Sequence, residues 1–169
     1  MSEIVNRVAS SGLITIDMND WVNASELVFI DIKPFLFQEL IVKEKEFRDS
    51  IKNHNWTEYT GKPVGIICSS DAIIPTWAYV LIAMELQPFV AKIYQGTVNE
   101  IKTNVLMDYI STLDVSQYND QRLVIKGCGE EFITPATYVA LTSKLKPVVK
   151  SMMYGEPCST VPLYKAPKK

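Results

Sequence analysis

The chain has 169 residues, enough to bury a real core in one domain and hardly enough for two. Its 47% apolar and 21% charged residues are an ordinary globular balance, and a net charge of -2 with a pI near 5.5 argues against the basic surface that nonspecific nucleic-acid binding needs. Three cysteines, Cys68, Cys128 and Cys158, are an odd number at wide spacings, which is no disulfide framework; they are expected to stay reduced in a cytosol.

Met1 to Arg7 is polar and of mixed charge, unlike a signal peptide. Leu13 to Met18 and then Leu27 to Ile32 read as strands, with antiparallel pairing at a sheet edge open to them. Pro34 suits the first turn of a helix, and Leu36, Leu40, Phe47 and Ile51 recur at helical spacing, so one helix is expected down to about His54.

From Trp56 the pattern repeats. Trp56 to Gly96 and Val115 to Gly155 each contain 41 residues. Tyr59 matches Tyr118, Cys68 matches Cys128, and Pro75 matches Pro135. Tyr79-Val80 matches Tyr138-Val139, Leu86 and Pro88 match Leu145 and Pro147, and Gly96 matches Gly155. Each unit reads as a buried strand (Val64 to Ile67; Leu123 to Ile125), a polar turn carrying the cysteine, and a helix from the proline to the Leu-x-Pro. A second apolar strand then ends at glycine (Phe89 to Tyr94; Val148 to Tyr154). That order is βαβ, which requires parallel strands. Asn99 to Thr112 reads as a linking helix. The expected fold is a single α/β domain over residues 1–169, with a mainly parallel sheet built from two βαβ repeats and an N-terminal strand–helix extension.

The stretch Ala72 to Met84 is the longest apolar one. Pro75 and Thr76 interrupt it, and it is too short to span a bilayer, so no membrane partner is expected. Its helix is apolar nearly all round, through Ile73, Ile74, Trp77, Ala78, Val80, Leu81, Ile82 and Met84, and is expected to be buried on more than one side. Either a further layer covers it or it forms a subunit interface; a homodimer through this helix is the favoured reading. The second repeat helix, with Thr142, Ser143 and Lys144, reads as half-exposed. Lys165, Lys168 and Lys169 read as a solvated basic terminus.

Ligands of parallel α/β sheets bind beyond the carboxyl ends of the strands, where Cys68 and Cys128 fall. Cys158 follows in YGEPCSTVPLY, where Gly155 and Pro157 can turn the chain back across the same edge. Three converging thiolates suit zinc or an iron–sulfur cluster, with Asp71, Glu130 or Glu156 as a fourth ligand. The opposing reading is three small buried hydrophobic side chains, since free cysteine is among the most buried residue types. The run Cys68-Ser69-Ser70-Asp71 before a helix resembles the loops of rhodaneses and cysteine phosphatases in topology, and Ser69, Ser70 and Asp71 are candidates for holding a small anion. Those loops need an arginine a few residues on, and Arg7, Arg48 and Arg122 are all elsewhere, so both activities are set aside. Persulfide sulfur carriage needs only an accessible thiol. Asp71 and Ser70 also have a structural use as helix caps. With His54 the single histidine, no Ser-His-Asp or Cys-His pair is expected.

The runs EIVNRVASSGLITID, FIDIKPFLFQELIVKEKEFR, CSSDAIIPTWAY, VIKGCG and KSMMYGEPCSTVPLYK resemble a bacterial family catalogued as domain of unknown function 2480, over essentially the whole chain. The family name carries no activity. The resemblance implies genes for iron–sulfur cluster assembly as neighbours, and its motifs contain Cys68, Cys128, Cys158 and Asp71. The functional expectation is therefore an accessory protein of iron–sulfur or sulfur metabolism with sulfur or iron–sulfur assembly proteins as partners. The alternatives are an interaction or scaffold module with structural cysteines, and an enzyme acting on a small anion at the Ser69–Asp71 loop.

Overall fold

The computed structural model describes residues 12–127, 129–156 and 159–167. In chain order the elements are β1 (Leu13–Ile16), α1 (Met18–Asn23), β2 (Val28–Asp31), α2 (Glu44–Lys52), β3 (Pro63–Ile67), α3 (Thr76–Leu86), β4 (Lys92–Gln95), α4 (Val98–Thr112), β5 (Arg122–Ile125), α5 (Pro135–Leu145), β6 (Ser151–Glu156) and β7 (Ser159–Lys165). The chain divides into two compact units, Val22–Asn104 and the pair of segments Met1–Trp21 and Val105–Lys169. Among the described residues no helix is long and apolar enough to cross a membrane.

The fold is α/β with parallel pairing, as the repeats require, but the strands make two sheets rather than one. In Val22–Asn104 the order is β2-β3-β4, all parallel; in the other unit it is β1-β5-β6-β7, parallel except for β6 with β7. Each repeat thus builds its own sheet. The two N-terminal strands are parallel edge partners, one to each sheet, and not an antiparallel pair. The residues between Asp31 and Pro63, with α2 among them, are ample for the crossover that parallel return demands. β7 is an edge strand, which is why it tolerates Pro162.

The single helix expected from Pro34 to His54 is broken. A 3-10 turn occupies Lys33–Phe35, Phe37 and Ile41 form an antiparallel bridge, and α2 starts only at Glu44. Gln38 and Glu39 both take positive φ, 51° and 60°, which a helix cannot contain. The apolar spacing survives the break because Leu36, Phe47 and Ile51 still point into the core.

Repeat helices α3 and α5 bury the same face. Ala78, Ile82 and Leu86 are fully buried in α3, and Thr137, Leu141 and Leu145 in α5. Each large aliphatic chain so buried contributes about 1.5–3 kcal/mol. In Val22–Asn104 the α3 face meets Ile30, Phe47, Ile51, Val64 and Ile66. The opposite face of α3 is exposed in the single chain, with Met84 66% exposed and Val80 and Trp77 exposed too, and Ile73 on the loop before the helix is 93% exposed. Trp77 alone has cover, from the edge of Phe47 at 5.7 Å and the guanidinium of Arg48.

The hydrogen-bond frame entering each repeat is the same. Gly61 donates to Phe89, Lys62 to Tyr59, and Ala91 to Lys62; Asp120 donates to Val148, Gln121 to Tyr118, and Lys150 to Gln121. Gly61 and Asp120 both adopt positive φ, at 76° and 54°.

Candidate functional site

Cys68 follows the last residue of β3, at the carboxyl end of the central strand of its sheet. Asp31 closes the neighbouring strand opposite Ile67. Its carboxylate accepts the backbone N–H of Ser69 at 3.0 Å, the Ser69 hydroxyl at 2.5 Å and the backbone N–H of Lys33 at 3.0 Å. Burial pushes this carboxyl up, but the Ser69 and Lys33 donors outweigh it and hold Asp31 below the ordinary carboxylate value. The loop after β3 is thereby tied to β2 through a charged acceptor.

The Cys68 side chain is half-buried. One side packs against the apolar core. Its Sγ donates to the Ser70 carbonyl at 3.5 Å and stands 3.4 Å from the Ser70 hydroxyl. The thiol faces an open pocket of about 410 Å³ shared with Tyr79, Gln95, Gly96 and Thr97. Burial and the neighbouring Cys68 raise the Tyr79 phenol above its ordinary value, so its ring presents a neutral hydroxyl.

α4 ends at this pocket, but its N-terminus is already satisfied. Thr97 Oγ1 accepts the N–H of Glu100, and Thr97 donates its N–H at 2.7 Å and its hydroxyl at 2.9 Å to Glu100 Oε2. This is a capping box. The carboxylate supplies the negative charge that the helix end would otherwise seek from a ligand, and these bonds lower the Glu100 pKa.

The structure distributes the sequence-derived candidates unevenly. Ser69 gives both donors to Asp31. Ser70 faces Cys68. Asp71 lines a separate open cavity of about 340 Å³ with Lys33, Glu39 and Leu40, where Lys33 pairs with Glu39 at 3.0 Å. Neither Ser70 nor Asp71 caps α3: the helix starts at Thr76, and its cap residue Pro75 has no side-chain cap bond. Cys68 accordingly lies eight positions ahead of the helix, not at its N-terminus.

Cys128 and Cys158 lie outside the described residues. Of their neighbours, Gly127 follows β5 and Gly155 and Glu156 lie at the end of β6, the adjacent parallel strand. A Cβ on Gly127 would stand 3.0 Å from the Tyr154 ring and 3.2 Å from Gly155 Cα, so any larger residue would have to push these neighbours back by a few tenths of an ångström. The Tyr154 hydroxyl donates to the Gly127 carbonyl at 3.2 Å, and Tyr138 donates to Lys126 at 2.9 Å. Tyr138, Tyr154 and Gly127 line an open pocket of about 460 Å³, in the place that Tyr79, Gln95 and Cys68 occupy in the other repeat. Glu130 is exposed on the loop. Among the described residues no three His, Cys, Asp or Glu side chains gather as a metal site. His54 sits by Tyr59 and Glu58.

Sequence reasoning missed Asp31, Gln95 and Thr97. A signal existed for the first: Asp31 ends an apolar strand two residues before an N–H it turns back to accept, a common aspartate turn.

Fold and site together define an α/β protein of parallel sheets with a thiol at the carboxyl end of a central strand. The chain belongs to the family described as "Protein of unknown function (DUF2480)", whose model matches residues 2–166. Searches of the curated proteins and of the solved structures each found no match.

Proposed function

We propose that the protein is a cytoplasmic accessory factor of iron–sulfur or sulfur metabolism that works through its thiols. The observation carrying this reading is the placement of Cys68, half-buried on a tethered loop at the carboxyl end of β3 and open to a pocket. In parallel sheets that edge is where chemistry collects. The form the geometry favours is sulfur carriage, because it requires one reachable thiol. The Cys68 thiolate attacks the outer sulfur of a donor persulfide; a new S–S bond forms as the donor's bond breaks, and the donor leaves as its thiolate. Tyr79, Gln95 and Thr97 surround the space into which the added sulfur projects. Cys128 and Cys158, with Asp71 or Glu156, are the further groups by which the protein would hold zinc or a cluster.

The test is mass spectrometry of protein treated without oxygen with a persulfide donor, beside metal and labile-sulfide content of the purified protein. Addition of one sulfur atom at Cys68, lost in Cys68→Ser, supports carriage. Zinc, or iron with sulfide, lost in Cys128→Ala, supports the metal form. A protein that takes up neither sulfur nor metal overturns both.

A second reading is favoured by the exposed apolar stripe of α3, namely an interaction module that forms a homodimer through Ile73, Trp77, Val80 and Met84. Scattered exposed apolar residues need no explanation, but three on one face of α3, Trp77, Val80 and Met84, with Ile73 on the loop before it, form a patch.

A further inference from the structure

We infer that the amino-terminal end of the β1-β5-β6-β7 sheet is a binding site for a small phosphate-bearing molecule with an apolar or planar body, of the kind a nucleotide represents. The site is at the opposite end of these strands from Gly127 and Gly155, and it uses no cysteine.

The strand register builds it. Leu13 pairs with Arg122, Arg122 with Ser151, and Ser151 with Lys165, so one transverse row crosses all four strands. Directly opposed residues share a face of a sheet. The row therefore presents, in order, an aliphatic group, a guanidinium, a hydroxyl and an ammonium. Adjacent strands are about 4.8 Å apart, so the two cations flank Ser151 at roughly one strand spacing each. The next row on this face includes Met153 opposite Pro162. Lys150, immediately before β6, adds a third cation.

These groups line an open cleft of about 430 Å³ together with Met153 and Pro162. Among the described residues no aspartate or glutamate lines it. Arg122, Lys150 and Lys165 are exposed, and none makes an ion pair with a described residue. Lys33, Lys43, Arg48 and Lys126 each pair with a carboxylate, whereas Lys45, Lys52, Lys62 and Lys146 make no ion pair with a described residue either, so what sets these three apart is that they share one cleft. Three cations on one cleft of a chain with net charge -2, unpaired among the described residues, form a local positive field.

The chemistry of the row selects the ligand. A guanidinium grips phosphate oxygens in a bidentate fork, a lysine adds point charge, and a serine hydroxyl donates from between them. Phosphate alone fills little of the cleft, whose volume is that of a small-molecule site. Met153 and Pro162, on the same face as the cations, give the remainder of the ligand an apolar seat.

Titration of the full chain by calorimetry with ADP, inorganic pyrophosphate and adenosine tests this. ADP is expected to bind at one site, with pyrophosphate and adenosine each weaker by about tenfold or more, because each lacks one half of the recognition. Arg122→Gln and Lys165→Gln are expected each to weaken ADP by about tenfold or more, the loss of a charge-assisted contact. Their melting temperatures should match the parent, since both side chains are exposed. Cys68→Ser should bind ADP unchanged, which separates this site from the thiol reading. No heat with ADP or pyrophosphate at millimolar concentration overturns the inference. So does ADP binding indifferent to both charge variants, or an oligonucleotide binding far more tightly than ADP with a steep salt dependence.

Discussion

Asp17 and Asp31 do the same work in the two units. Each sits at the carboxyl end of an N-terminal edge strand, accepts the backbone N–H two residues ahead, and reaches the segment leaving the adjacent repeat strand. Asp17 accepts from Asn19 at 3.0 Å and pairs with the Lys126 ammonium at 2.7 Å; Asp31 accepts from Lys33 and Ser69. Burial pushes both carboxyls up, and the donors bring both below 3.8, with Lys126 and Ser69 the leading opposing partners. The segments ITIDMN and VFIDIK are thus equivalent, and the repeated unit is an edge strand plus βαβ.

Replacing Asp31 by asparagine is expected to cost about 1.5–3 kcal/mol at neutral pH, the range for hydrogen bonds to a charged group. Because the folded pKa is lowered, the stabilisation is fully present above the unfolded carboxylate value and is lost as pH falls through the folded one. Urea melts of parent and Asp31→Asn should therefore converge in acid. A gap that stays constant from pH 7 to pH 3 would show that the carboxylate charge is not what ties the loop down.

Gly65, buried in the middle of β3, sits under close packing from two side chains. A Cβ there would lie 2.9 Å from Ile101 Cγ2 and 2.9 Å from Phe29 Cδ1. Both neighbours are themselves packed, so Gly65→Ala should destabilise by about 1–3 kcal/mol through overpacking. Chemical denaturation measures it, and a neutral or stabilising result would mean that α4 shifts freely over the sheet.

The parts of this fold written in the sequence are those set by local chemistry. Prolines 75 and 135 and the Leu-x-Pro motifs bound α3 and α5 within a residue or two of their observed ends. Pairing was not legible, because LITI and VFID carry no mark of which strand each joins. β7 escaped notice since Pro162 weakens its pattern. The break at Gln38 and Glu39 is invisible because neither residue type signals positive φ. At the site, Cys68 and its place at a strand end were readable from the repeat, whereas its surroundings were not. Tyr79, Gln95 and Thr97 reach the pocket from three separate elements.

If α3 is a contact surface between copies, Val80→Glu with Met84→Glu should abolish it. Both positions are more than half exposed, so the monomer's stability should change by no more than about 0.5 kcal/mol per site. Sedimentation velocity of the parent should show a dimer and of the variant a monomer. A parent that is monomeric at high concentration would remove the homodimer.

Thr97→Ala should reduce stability by about 1 kcal/mol, the usual effect of losing a threonine cap. The residue holds both halves of the box that starts α4, and without its hydroxyl the Glu100 carboxylate keeps only the Thr97 N–H. Thr97→Ser retains the hydroxyl and should recover most of the loss. The pair separates a cap from a mere lining residue of the Cys68 pocket: a cap is read in the urea midpoint and spared by serine. A lining residue would instead leave the midpoint alone and alter the rate at which iodoacetamide reaches Cys68. If Thr97→Ala changes only that rate, α4 does not depend on the box, and its N-terminus becomes available to a ligand in the pocket.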